Sequence, residues 1–146
     1  MKRATILKHE FVEFIPDDLQ ENTVYVSVSF ATAVHKCFCG CRNEVVTPLS
    51  PTDWKLTYDG QSISLYPSIG NWNFKCRSHY WIERNKIKWA QSWTQKEIDS
   101  GRACDTLSKA KYYNNEMPTS RTEASASNDG RSKPGFWRWV TRYLSR

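Results

Sequence analysis

Apolar and polar side chains alternate by twos through Val24-Tyr25-Val26-Ser27-Val28-Ser29-Phe30, the period of a strand with one buried face. This strand is predicted to lead straight into the cysteine-rich stretch that follows. His9-Glu10-Phe11-Val12-Glu13-Phe14-Ile15 reads as an earlier strand ended by Pro16, because proline has no amide to give a central ladder. Trp54-Lys55-Leu56-Thr57-Tyr58 and Ser62-Ile63-Ser64-Leu65-Tyr66 flank Asp59-Gly60, a pair suited to the left-handed backbone of a tight hairpin turn. A second hairpin is predicted where Tyr80-Trp81-Ile82 and Ile87-Lys88-Trp89 enclose Arg84-Asn85, since asparagine tolerates that backbone. Thr94-Gln95-Lys96-Glu97 has the capping-box form and should open a short helix that Gly101 closes. The predicted fold class is mainly β (α+β), a small antiparallel sheet domain with one short helix.

Beyond residue 102 the pattern fades into Ser, Thr, Asn and charge, a composition that buries too little area to offset ordering entropy. Residues 1–101 are therefore read as the folded domain and 102–133 as a polar linker. After Pro134-Gly135, the residues Phe136, Trp139, Val140, Tyr143 and Leu144 share a helical face against Arg138 and Arg142, which predicts a C-terminal amphipathic helix over 134–146.

The formal charge of +6 raises the question of a nucleic-acid partner, and its location answers it. There are 12 basic and 11 acidic residues through Gly101, against 9 and 4 beyond. A nearly neutral domain has no means of gathering a phosphate backbone, so the charge argues against nucleic acid. No apolar run approaches the roughly 20 residues of a membrane span, and Met1-Lys2-Arg3 is not followed by an export signal core, so the reading is cytoplasmic.

That compartment bears on the five cysteines, which are expected as reduced thiols rather than disulfides. Cys37, Cys39 and Cys41 stand at alternate positions in His35-Lys36-Cys37-Phe38-Cys39-Gly40-Cys41, and Cys76 follows in Cys76-Arg77-Ser78-His79. Four thiolates satisfy a closed tetrahedral site, which predicts structural zinc in a knuckle that Gly40 helps to fold. Imidazole is an equally good ligand, so His35 or His79 can stand in for one of the cysteines. Cys104 has no local base and is read as a bystander.

Catalytic candidates lie in the same region. Ser68 in Pro67-Ser68-Ile69-Gly70-Asn71 follows a predicted strand and should sit on the turn where that strand ends, near amides able to receive an oxyanion. Serine in such a turn is more often a turn-former bonded to local backbone. A general base is required, and His79, three residues after Cys76, would be held by the metal-anchored segment. Ser78 is an alternative nucleophile, although neighbours on a strand point to opposite faces. Asn71 and Asp53 are both candidates for a third, orienting group.

The segments HKCFCGC, PLSPTDWKLTYDG and SISLYPSIGNWNFKCRSHYWIERNKIKWA together resemble a bacterial family of small domains encoded beside ubiquitin-like conjugation genes, the bacterial ubiquitin-like operon peptidases. The resemblance covers about residues 9–90. It implies a zinc-stabilised, mostly β domain acting as a serine-dependent protease or deubiquitinase-like hydrolase, with Ser68 and His79 catalytic and Cys37, Cys39, Cys41 and Cys76 on zinc. The implied substrate is a bacterial ubiquitin-like protein, trimmed or deconjugated at its C-terminus, with E1-like and E2-like proteins as partners and antiviral defence as the setting. The rival from another class is a non-catalytic zinc module that binds protein or nucleic acid through the aromatic face and the basic tail.

Overall fold

The computed structural model describes residues 3–116, which form two four-stranded sheets and one helix. The first sheet holds β1 (Lys8–Phe11), β2 (Thr23–Ser27), β3 (Thr32–Lys36) and β4 (Glu44–Pro48) in chain order. The second holds β5 (Lys55–Tyr58), β6 (Ile63–Gly70), β7 (His79–Glu83) and β8 (Lys86–Trp89), again in chain order. Helix α1 spans Gln95–Glu116. The fold is mainly β with a helix after it, and one pairing departs from the antiparallel expectation: β1 runs parallel to β2. No helix among the described residues is long and apolar enough to cross a membrane.

Alternation sorts the side chains into faces. Val24 and Val26 of β2 join Ala33, Val45, Ile63, Leu65, Ile69, Tyr80, Ile82 and Ile87 in the core between the sheets. Tyr25, between those valines, turns the other way and packs with Leu19 and Val34, so β2 is buried on both faces. The strand is shorter than its pattern. Ser27 Oγ donates to the Glu13 carbonyl at 2.7 Å and accepts the Phe30 amide at 3.4 Å, ending the ladder. The chain then reverses through Ala31, and β3 rather than β2 delivers the cysteines.

Both predicted hairpins are present, and side chains set their turns. Asp59 Oδ1 accepts the Gln61 and Ser62 amides at 3.0 and 2.7 Å, while Gly60 takes φ +93°. Arg84 and Asn85 both have positive φ between the paired Glu83 and Lys86, the geometry of a two-residue turn that follows strand twist.

Helix α1 opens as its sequence predicts. Glu97 Oε2 accepts the Thr94 amide at 2.7 Å, and Thr94 Oγ1 accepts the Glu97 amide at 3.4 Å. The helix does not close at Gly101. It continues to Glu116, taking in residues 102–116, which composition assigned to the linker. Gly101 makes room for a ring instead of ending the helix, since a Cβ there would lie 3.1 Å from the Trp93 indole. The remainder of the linker and the C-terminal helix expected over 134–146 lie outside the described residues.

Candidate functional site

Ser68 is not on a terminal turn; it lies inside β6. Leu65 pairs with Ile82 and Ile69 with Tyr80, so β6 spends four residues where β7 spends two. The surplus is a bulge holding Tyr66, Pro67 and Ser68, a place in a ladder where proline is tolerated and where a side chain can be re-aimed. Ser68 Oγ lies 2.9 Å from His79 Nε2. On β7, the outward face carries His79, Trp81 and Glu83, and the inward face carries Tyr80 and Ile82, as alternation requires.

The other imidazole nitrogen, Nδ1, lies 3.2 Å from the main-chain carbonyl of Gln91. A carbonyl can only accept, so Nδ1 carries the proton and Nε2 presents its lone pair to the Ser68 hydroxyl. The ring is buried in spite of its outward direction because indoles cover it. Trp72 and Trp93 lie with centroids 5.0 Å from it, and Trp81 at 5.4 Å. Beside the pair is a cavity of about 310 Å³ lined by Trp54, Trp72, Trp93, Ile98 and Arg102 among others.

Neither expected orienting group reaches His79. Asp53 lines the same cavity, but its carboxylate accepts Lys109 Nζ at 2.7 Å and Ser50 Oγ at 2.6 Å. Lys109, and after it Ser50, hold the Asp53 carboxyl below the usual carboxylate range. Asn71 faces the opposite way, where its Nδ2 donates to Ser78 Oγ at 2.9 Å and Tyr80 Oη at 3.2 Å. The group that Nδ1 meets is instead the Gln91 carbonyl, which side-chain type could not single out, because every residue carries a carbonyl.

Ser78 also belongs to that inner side. Its Oγ sits 3.1 Å from Cys37 Sγ and 3.6 Å from Cys76 Sγ. His35 is fully buried, contacts Tyr80 Oη at 2.9 Å, stacks on Phe38 and has a pKa lowered to about 3 by burial. Neither His35 nor His79 replaces a cysteine in the cluster.

The sulfurs of Cys37, Cys39, Cys41 and Cys76 all lie within 4.8 Å of one another. Sulfur separations of 3.4, 4.0 and 3.7 Å for the pairs 37/39, 37/76 and 41/76 bracket the roughly 3.8 Å edge of a tetrahedron with zinc–sulfur bonds of about 2.3 Å. The donor set fits zinc, and polar neighbours support it. Burial pushes Cys37 and Cys39 up. Cys76 is also opposed by burial, yet donors from Ser78 and from the Cys39 and Cys41 thiols bring it to about 7. Three thiols hang from the end of the first sheet and Cys76 precedes β7 of the second, so one ion would tie the sheets together. Cys104 is exposed on α1, away from this cluster.

A family model described as Bacterial ubiquitination-like system serine protease (BubE) matches residues 11–90. No curated protein and no solved structure matches the chain.

Proposed function

Because the chain belongs to the family of bacterial ubiquitination-like system serine proteases, we propose that it is a serine-dependent, deubiquitinase-like hydrolase that cuts a bacterial ubiquitin-like protein at its C-terminus. The observation that carries this reading is the 2.9 Å approach of Ser68 Oγ to His79 Nε2, with Nδ1 held by the Gln91 carbonyl. As Ser68 Oγ attacks the carbonyl carbon after the ubiquitin-like tail, its proton passes to His79 Nε2. The tetrahedral adduct collapses when His79 gives that proton to the leaving amine, which leaves an acyl group on Ser68. Water then attacks, losing its proton to His79, and Ser68 regains a proton as the tail departs. Bonding of the Asn71 amide to the Ser78 carbonyl at 2.8 Å, with Gly70 opposite His79, turns the Gly70 amide away from β7 by antiparallel alternation. It is the amide we assign to the oxyanion.

Cys37, Cys39, Cys41 and Cys76 would hold zinc as four thiolates. A closed set supplies cross-linking and leaves no position for activating water. In this reading the metal serves the site by fixing the segment that leads into β7. E1-like and E2-like proteins of the same conjugation system are the expected partners, and the cytoplasm is the expected compartment.

The test is incubation with the neighbouring ubiquitin-like precursor, followed by intact mass. Wild type should release the C-terminal extension, while Ser68→Ala and His79→Ala should each lose at least about a thousandfold in rate. A fluorophosphonate should add its mass at Ser68 in wild type and not in His79→Ala. Cleavage unchanged in both variants would reject the assignment.

A further inference from the structure

The segment after β8 reaches the site twice. Gln91 presents its carbonyl to His79 Nδ1, and Trp93 sets its indole at 73° to the same imidazole. Both residues, and all of α1, lie beyond the 11–90 stretch matched by the family model. Their attachment to the sheet runs through a series of ring contacts. A Cβ on Gly70 would fall 2.4 Å from the Trp72 indole, so that ring occupies the space a side chain would take. Trp93 stacks on Trp72 at 5.4 Å with 16° between planes. Gly101 completes the series, its absent Cβ leaving space for Trp93. Outside this pile, α1 is joined by buried Ile98, by Arg102 Nη2 donating to Asn73 Oδ1 at 3.0 Å, and by the Lys109–Asp53 pair.

We propose that the pile Gly70–Trp72–Trp93–Gly101 sets the position of the general base. Trp93 and Gly101 are positioning residues that, through Gln91, keep His79 in the tautomer able to accept the Ser68 proton. The inference rests on the reading of Ser68 and His79 as the reacting pair. A glycine in mid-helix lowers helix propensity, so its presence at 101 has a reason outside the helix, and the ring contact supplies one. Displacing Trp93 moves the chain two residues after Gln91, and the Nδ1 contact at 3.2 Å has little length to lose before it ceases to orient the ring.

The experiment uses the full-length, metal-loaded chain carrying Gly101→Leu, which raises helix propensity while filling the space of the Trp93 ring. Expected are a fall in kcat of about tenfold or more with KM nearly unchanged, and nitrogen-15 ring signals of His79 that shift from one tautomer to a mixture. Improved or unchanged kcat with unchanged ring signals would overturn the proposal. Should Gly101→Leu fail to fold, Trp93→Ala and Trp93→Phe decide it. The alanine variant should show the defect and the phenylalanine variant should largely escape it, whereas equal behaviour overturns the idea. The ring signals can be read in a Ser68→Ala background without turnover, so a wrong nucleophile and a wrong positioning device give different results.

Discussion

Ser78, just before β7, and His79, its first residue, are consecutive and turn their side chains to opposite sides of the chain. The Ser78 hydroxyl lies 3.1 Å from the Cys37 sulfur, and the His79 imidazole lies 2.9 Å from the Ser68 hydroxyl. The thiol cluster and the Ser68–His79 pair are thus joined through two adjacent residues of the backbone. A shift of β7 along its axis would disturb both.

Ser78→Ala should therefore act on the metal and spare the chemistry. Losing a donor to a sulfur of the proposed zinc set should weaken metal affinity by about 10- to 100-fold, measurable by competition with a chromophoric chelator. At full metal loading, the kcat of this variant should match wild type. Loss of cleavage in a folded, fully loaded Ser78→Ala chain would instead return Ser78 to the role of nucleophile.

Gly70 and Gly60 are both glycines for physical reasons, and the reasons differ. Gly60 has φ +93° with nothing near its absent Cβ, whereas Gly70 is crowded by the Trp72 indole. Gly60→Ala should cost about 1 kcal/mol through backbone conformation and leave kcat alone. Gly70→Ala should cost about 1–3 kcal/mol through overpacking and lower kcat as well. Denaturant unfolding and steady-state rates on both variants test the contrast.

The Asp53–Lys109 pair predicts how α1 attachment responds to pH. The Asp53 carboxyl is held below its usual 3.8, chiefly by Lys109, so the unfolded chain takes up this proton first on acidification. Its contribution is complete above that value and is lost as pH falls through the lower, folded one. Lys109 is raised above its usual 10.5 by Asp53 and then Asp105. That contribution is present below 10.5 and is lost as pH rises through the higher, folded value. Lys109→Met should cost about 0.2–1 kcal/mol, as expected of a partly exposed pair. The cost should be constant between pH 5 and 9 and shrink at either extreme. A cost that ignores pH would show that the lysine contributes packing alone.

Local chemistry made part of this fold legible. The two hairpins and the opening of α1 depend on a few adjacent residues, among them Asp59 with Gly60, Arg84 with Asn85 and Thr94 with Glu97, and these appear in the structure. The parallel pairing of β1 with β2 depends on contacts distant in sequence, and alternation says nothing about strand direction. Gly101 misleads because its local meaning is a helix stop, while its actual neighbour is an indole. Among site residues, the grouping of the four cysteines follows from residue type and spacing, whereas these alone leave Ser68 an ordinary turn serine, and it is the family resemblance that singles it out together with His79. Asn71 and Asp53 are the side chains expected to orient a histidine, yet one is taken by the Ser78 and Tyr80 hydroxyls and the other by Lys109.

The acceptor opposite His79 Nδ1 is a peptide oxygen, and all twenty amino acids present the same one. A scan of substitutions at position 91 should therefore pass almost silently through the spot that orients the imidazole. Inherited variation can reach this function only by bending the path of the chain, so its genetic footprint falls on the residues that steer that path.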